Sequence, residues 1–313
     1  MKKKVIIDCD PGHDDMIAIM LAIASHELEL LGITTVAGNQ TGEKTFKNAL
    51  KILTLLEERE IPVARGCDKP LIRDLTIAPQ IHGASGLDGI DLPEPQIEPI
   101  KEHAIDFITR TLLNSREKIY LVPTGPLTNI ALTFIKEPKV KESIERIVLM
   151  GGAVFDSNIT PAAEFNIYVD PEAAKIVFES GIPITMVGLD VTNKALFTFE
   201  DIEMLGKGGK ISKVVAPLLK FFAQANKEIF GFNGAPLHDA LAVATVIDQS
   251  IVKTKSFFVE IETQGELTRG KTVVDIYGVK RKKPNAEVAM DLDLKKFKSL
   301  IFNAFKTLDE RLK

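Results

Sequence analysis

Val5-Ile6-Ile7-Asp8-Cys9-Asp10-Pro11-Gly12-His13-Asp14-Asp15 joins a short apolar run to four carboxylates packed into eight residues. Lys4 to Asp8 reads as a first strand buried on both faces, because apolar side chains follow one another without the polar alternation of a half-exposed strand. The residues from about Asp14 to Ala24 read as a helix. A buried strand running straight into a helix is the opening of a parallel α/β fold. The turn between them carries charge that a structural turn does not need. Like charges this close repel, and ionising them all is unfavourable unless a cation or hydrogen bonds offset it. Helix N-capping accounts for one or two of the aspartates. The rest point to a hard-cation site, since carboxylate oxygens suit calcium or magnesium and the five histidines are too scattered for zinc.

Outward from this turn the same alternation repeats. Strands are expected at Leu30 to Ala37, Ile61 to Ala64, Ile119 to Val122, Ile147 to Met150 and Ile184 to Val187. Helices are expected at Lys44 to Glu58, Ala104 to Leu113, Leu127 to Phe134 and Pro171 to Phe178, the last with proline at its first position. In Lys44 to Glu58 the apolar residues Ala49, Ile52, Leu53 and Leu56 fall on one face of a 3.6-residue period. Residues 200 to 230 read as mainly helical with a break at Gly206, Gly208 and Gly209, and another helix begins near Asp239. Phe257 to Glu262 and Thr272 to Tyr277 read as an antiparallel pair, and Asp293 to Leu308 as a closing helix. The expected fold is one α/β domain over residues 1–313: an open, doubly wound, mostly parallel sheet with a late antiparallel strand pair. Ligands of such sheets sit beyond the C-terminal strand ends. Asp8 to Asp15, Gly38-Asn39, Thr124-Gly125 and Gly151-Gly152 all fall there.

Composition narrows the function. The chain has 313 residues, 45% hydrophobic and 26% charged, and a formal charge of -4. It is long enough to bury a large core. The small acidic balance speaks against a dedicated nucleic-acid binder. No apolar stretch reaches the roughly 20 residues of a membrane helix. Lys2-Lys3-Lys4 is followed by only Val5-Ile6-Ile7 before Asp8, too short for a secretory signal. Cys9 and Cys67 are not spaced as a metal pair and read as small hydrophobes in a reducing compartment. A cytoplasmic protein is therefore expected.

The aspartate run fits two enzyme classes unequally. Haloacid-dehalogenase-like phosphohydrolases place D-x-D after their first strand and bind magnesium, but usually continue with Thr or Val where this chain has Gly12, and they lack Asp14-Asp15. D-x-D-P-G-x-D-D instead resembles the N-terminal signature of the inosine-uridine nucleoside hydrolase family. Further blocks follow in the family's order: Val122-Pro123-Thr124-Gly125-Pro126-Leu127-Thr128-Asn129, then Met150-Gly151-Gly152 with Ala163-Glu164-Phe165-Asn166 and Asp170-Pro171-Glu172-Ala173, then Leu237-His238-Asp239-Ala240. His82-Gly83 with Gly86-Leu87 is similar to a loop motif of many members.

The resemblance implies hydrolysis of ribonucleosides to ribose and free base, with one calcium ion per subunit held by Asp10, Asp15, Asp239 and the backbone carbonyl of Thr124. It implies that Asp10 is also the general base. Asp14 and Asn39 would contact the ribose hydroxyls, Asn158, Glu164 and Asn166 the 5′ and 3′ side of the sugar, and Met150 its flank. His238 would protonate the leaving base, with His82 near it. Homodimers or homotetramers are implied, and neither nucleic acid nor membrane is. A non-catalytic nucleoside-binding protein is the remaining alternative, opposed by the retained Asp10, Asp15, His238 and Asp239. The bland readings are that Asn39 and Asn158 are turn residues, Glu164 a buried structural carboxylate, Met150 a core residue and His238 a solvated turn. His13 is expected to be structural or to act through a neighbour, and His26 and His103 to lie on the surface. The run from Phe221 and Phe222 to Phe230 and Phe232 is expected in the core, the alternative being that some of its rings stack on a base.

Overall fold

A computed structural model describes residues 2–313. Six parallel strands form most of the central sheet: β1 (Lys3–Cys9), β2 (Leu28–Thr35), β3 (Val63–Arg65), β4 (Ile119–Pro123), β5 (Ile144–Met150) and β6 (Ile184–Val187). They lie in the order 3-2-1-4-5-6, and the sheet continues past β6 with Ala286–Leu292 and then Val252–Phe257. Ala286–Leu292 is parallel to β6, and Val252–Phe257 is antiparallel to Ala286–Leu292. The eight-stranded sheet is thus doubly wound as expected. Its order reverses between β1 and β4, the place where such sheets open a crevice.

The strand β1 shows why the sheet has helices on both faces. Val5, Ile7 and Cys9 join one buried cluster and Ile6 the other, following the two-residue period of a strand. The first cluster packs under the helices His13–Ala24, His238–Ile247, Lys210–Phe230 and Leu294–Arg311. The second packs under Ala104–Asn114, Thr128–Lys136 and Pro171–Phe178. Both faces are covered, so the central strands carry continuous apolar runs.

Differences from expectation cluster late in the chain. Val259–Ile261 and Thr272–Val274 do pair antiparallel, but as a separate two-stranded sheet. The antiparallel edge of the main sheet is Val252–Phe257, which sequence reading left unassigned together with its neighbour Ala286–Leu292. Both are charge-rich: VKTKSF exposes four consecutive residues, and AEVAMDL buries only its Ala286, Val288 and Ala289. An edge strand shows solvent one face, and this polarity hides it. Gly234–Pro236, which pairs with Leu196–Thr198, is similarly too short to signal itself.

Candidate active site

Two helices aim their N-termini at the crevice. His13–Ala24 has Asp14 and Asp15 in its first turn, and His238–Ile247 has Asp239 in its first turn. The positive helix ends and unpaired N–H groups favour carboxylates there. The backbone N–H of Gly12 donates to Asp15 Oδ2 at 2.9 Å. The result is a buried trio, Asp14, Asp15 and Asp239, whose carboxylate oxygens lie within 4.8 Å of one another and can hold a metal ion.

Asp10 stands beside this trio at the end of β1. Its Oδ2 accepts the Asn39 N–H at 2.6 Å, while Oδ1 is buried and has no hydrogen-bond partner. A Cβ at either Gly38 or Gly125 would collide with this carboxylate, so those glycines let the loops after β2 and β4 close around it. Asn39 Nδ2 reaches both the Asp10 carbonyl and Asp15 Oδ2, each at 3.2 Å. The Thr124 hydroxyl donates to Asp15 Oδ1 at 2.8 Å. The Thr124 carbonyl accepts from Asn166 Nδ2 at 2.7 Å and keeps a second lone pair. Asn166 also reaches the Met150 carbonyl at 3.1 Å.

Electrostatics state the same case. Burial, then repulsion from Asp15, pushes the Asp10 carboxyl well above the usual carboxylate range and that of Asp14 up to about 7. Burial, then Asp14, Asp15 and Asp10, pushes Asp239 well up. Asp15 rises less, because burial is opposed by hydrogen bonds from Gly12 and Thr124. Four buried carboxyls without a cationic side chain among them lack the charge that would ionise them together. A divalent cation would supply it, and the orphaned Asp10 Oδ1 and the all-oxygen donor set suit a hard one.

A cavity of about 710 Å³, counting its open mouth, lies over these carboxylates. Of the residues singled out from sequence, Asp14, Asn39, His82, Thr124, Met150, Asn158, Glu164, Asn166, His238 and Asp239 all line it. Asp10 and Asp15 sit behind the lining, fully buried. The expected ligand set and the observed trio share Asp15 and Asp239. Asp14 joins them, while Asp10 is adjacent.

The remaining lining residues are anchored by secondary structure. Glu164 is the N-cap of Phe165–Val169, accepting from Asn166 and Ile167 N–H groups and from Gly152 N–H at 2.9 Å. Burial nevertheless raises its carboxyl to about 7. Asn158 Oδ1 accepts the Phe165 N–H at 2.8 Å. Each of these residues therefore fixes a loop and also faces the cavity. Half-buried His238 places Nδ1 2.7 Å from the Thr192 hydroxyl, and desolvation lowers its pKa to about 4. His26 and His103 are exposed, and His103 caps Ala104–Asn114.

Sequence reading missed Ala78, Gln80, Ile81, Ile159, Phe165, Asn226 and Ile229 among the lining residues. From the aromatic run, Phe222 and Phe230 line the cavity, whereas Phe221 packs on His13 at its back. Asp8, which a phosphohydrolase would need as nucleophile, is 1% exposed and turned from the cavity. Its Oδ1 is held by Thr34 at 2.6 Å and Asn129 at 2.8 Å. That reading fails on geometry.

An all-oxygen cluster that could hold a cation thus lies at the switch point of a doubly wound sheet, beneath a cavity lined by both polar and aromatic side chains. The chain belongs to the inosine-uridine preferring nucleoside hydrolase family, whose model matches residues 5–299. It is accordingly a ribonucleoside hydrolase, cleaving the N-glycosidic bond. Similar proteins include the pyrimidine-specific ribonucleoside hydrolase RihA of Escherichia fergusonii, 51% identical over 98% of this chain and 99% of that one. The same-named protein of Salmonella typhimurium is 52% identical over 96% and 97% of the respective chains. The solved purine-preferring ribonucleoside hydrolase of Gardnerella vaginalis superposes with a TM-score of 0.92 at 35% identity, over 99% of this chain and 100% of that one. Among the described residues no helix is long and apolar enough to cross a membrane.

Proposed function

We propose that the chain hydrolyses pyrimidine ribonucleosides using one calcium ion per subunit. The convergence of Asp10, Asp14, Asp15 and Asp239 beneath one polar cavity carries this reading. The pyrimidine preference is supported by the relatives at 51% and 52% identity, which carry it in their names, against 35% for the purine-preferring structure. Calcium is supported by the donor chemistry: Asp10, Asp15, Asp239 and the Thr124 carbonyl offer only oxygen, and a calcium ion takes six to eight. Held by those oxygens, such an ion would supply acidity to a nearby water and positive charge for binding hydroxyl oxygens.

The chain's own residues do the rest. Asp10, with its unpartnered Oδ1, takes the proton of the attacking water. Asp14 and Asn39 bind the ribose hydroxyls. Asn158, Glu164 and Asn166 hold the 5′ and 3′ side, and Met150 flanks the ring. Fixing the sugar through this many polar groups turns binding into catalysis. His238 protonates the departing base. The Thr192 hydroxyl, 2.7 Å from Nδ1, orients the ring for this transfer. Direct attack by water inverts the anomeric carbon. We take the enzyme to act as a cytoplasmic homo-oligomer. Exposed Leu267, Tyr277 and Val279 provide apolar surface for self-association, which light scattering tests.

The test is a substrate panel in phosphate-free buffer. Uridine and cytidine should release free base with kcat/KM about tenfold or more above inosine and guanosine. Exhaustive chelation should abolish turnover and added calcium should restore it. An obligatory phosphate co-substrate would end the hydrolase assignment, while a purine preference would end only the specificity.

A further inference from the structure

His82 in the cavity lining and His13 behind it form a pair that the mechanism above does not use as a pair. His13 is fully buried and His82 is 6% exposed. Their Nδ1 atoms are 3.2 Å apart. His13 stacks on both Phe221 and Phe222, with ring centroids 5.4 and 5.2 Å away and planes tilted by 7° and 8°. On its far side, His13 Nε2 is 2.9 Å from the backbone carbonyl of Asp88.

That carbonyl decides the proton positions. A carbonyl oxygen only accepts, so His13 Nε2 must carry a hydrogen. A neutral His13 then presents a bare lone pair at Nδ1. Of two nitrogens facing one another at hydrogen-bond distance one must donate, so His82 Nδ1 carries the hydrogen. A neutral His82 is left with a bare Nε2. This atom has no hydrogen-bond partner, is not among the buried unpaired atoms, and belongs to a ring that lines the cavity.

We infer that His13 is a positioning residue that locks His82 in the Nδ1–H tautomer, so that His82 presents a hydrogen-bond acceptor, not a donor, to an N–H or O–H of the nucleoside. The inference rests on the proposed reading only in taking the cavity's ligand to be a nucleoside. The rival proton arrangement has His82 Nδ1 bare, accepting from His13 Nδ1 and from the His13 backbone N–H at 3.4 Å. It requires an imidazolium at His13, because Asp88 still demands a hydrogen on Nε2. A cation there would be fully buried against two phenyl rings and cut off from water. The acceptor order satisfies every contact except that long one without any buried charge.

Nitrogen-15 NMR of the histidine rings in the full-length enzyme tests this without substrate, so its outcome is separate from that of the substrate panel. Protonated and bare ring nitrogens resonate in distinct regions, and variants at His13 and His82 assign them. The expected spectrum has His13 protonated only on Nε2 and His82 only on Nδ1. His13→Leu should let His82 Nε2 gain a proton and lower kcat/KM for uridine about tenfold, the effect of one misplaced hydrogen bond. His13→Gln, whose amide offers a donor and an acceptor at similar spacing, should recover most of that loss. A wild-type spectrum with His82 protonated on Nε2, or with both His13 nitrogens protonated, would overturn the inference. So would an unchanged His82 tautomer in the leucine variant. Should the leucine variant fail to fold, the wild-type spectrum alone decides.

Discussion

The cavity has two unlike walls. The acidic wall comprises Asp14, Asp239, Asn39 and Thr124 with Asp10 and Asp15 behind them. It comes from strand ends and helix first turns, and its members are buried. The aromatic wall includes Phe222, Asn226, Ile229 and Phe230, all from the C-terminal half of one helix, Lys210–Phe230. Ile229 and Phe230 are 47% and 38% exposed, and the helix ends on Gly231 in the left-handed conformation. The first wall is held by hydrogen bonds from three separate segments and has little freedom to move. The second is the end of a long helix at the mouth of the cavity. Chemistry common to every ribonucleoside belongs on the fixed wall. Discrimination between bases belongs on the one that can be exchanged residue by residue without disturbing the sheet.

The largest expected effect is therefore on the acidic wall. Asp10→Ala removes the carboxylate proposed as base and should lower kcat/KM by about 10³, within the range for a lost general base. The fold should survive, because the substitution also removes a buried, unpaired oxygen and part of the repulsion within the aspartate group. Steady-state kinetics and thermal denaturation of the same preparation separate the two. A variant with activity within tenfold of wild type would show that Asp10 is not the base.

The same contrast governs what could be read from the sequence. The acidic wall was legible because its residues act at positions fixed by the α/β plan: β1 and β4 lie side by side, Asp8 level with Pro123, so Asp10 and Thr124 leave the sheet together. Asp14, Asp15 and Asp239 follow as first-turn residues of adjoining helices. The aromatic wall was not legible, because facing inward to the core or outward to the cavity is set by where a helix ends. Phe222 and Phe230 both line the cavity, yet one is 1% exposed and the other 38%. Gln80 and Ile81 escaped notice for a different reason: they sit on a single four-residue turn, Pro79–His82, with no periodicity to mark it. In the fold, the parallel half was plain from its apolar runs, whereas the strand Ala286–Leu292 was masked by Glu287 and Asp291.

A smaller effect is expected from Phe230→Ala. Stacking of a base on an aromatic ring is worth about 1–3 kcal/mol when fully engaged. A ring that is 38% exposed in the free enzyme should sit near the low end of that range. KM for uridine should rise roughly five- to tenfold with kcat nearly unchanged, the signature of binding shared by ground and transition states. Thermal stability should be almost unaltered, since little apolar area leaves the core. A fall in kcat matching the fall in kcat/KM would instead place Phe230 in transition-state stabilisation and erase the division of labour between the walls.

The smallest effect tests what holds the aromatic wall in place. The helix Lys210–Phe230 starts at Gly209, which has no side chain to cap it. Asp309, on the closing helix, performs that task from a distance. Its carboxylate accepts from the Gly209 N–H at 2.8 Å, the Ile211 N–H at 2.8 Å, the Ser212 N–H at 3.0 Å and the Ser212 hydroxyl at 2.5 Å. Burial raises the pKa of Asp309, but these hydrogen bonds outweigh it and the net shift is below the ordinary 3.8. A carboxyl depressed in the folded state stabilises the protein above its unfolded pKa and loses that stabilisation as pH falls through the folded value. Asp309→Ala should therefore cost about 1–2 kcal/mol at neutral pH, as for other lost caps. The gap between wild type and variant should stay constant down to about pH 4 and close below it. Urea denaturation at a series of pH values reads this directly. Because the cap lies at the far end of the helix from Phe230, kcat/KM should change by less than about twofold. A gap that persists undiminished into strong acid would mean that Asp309 contributes through packing and not through its charge.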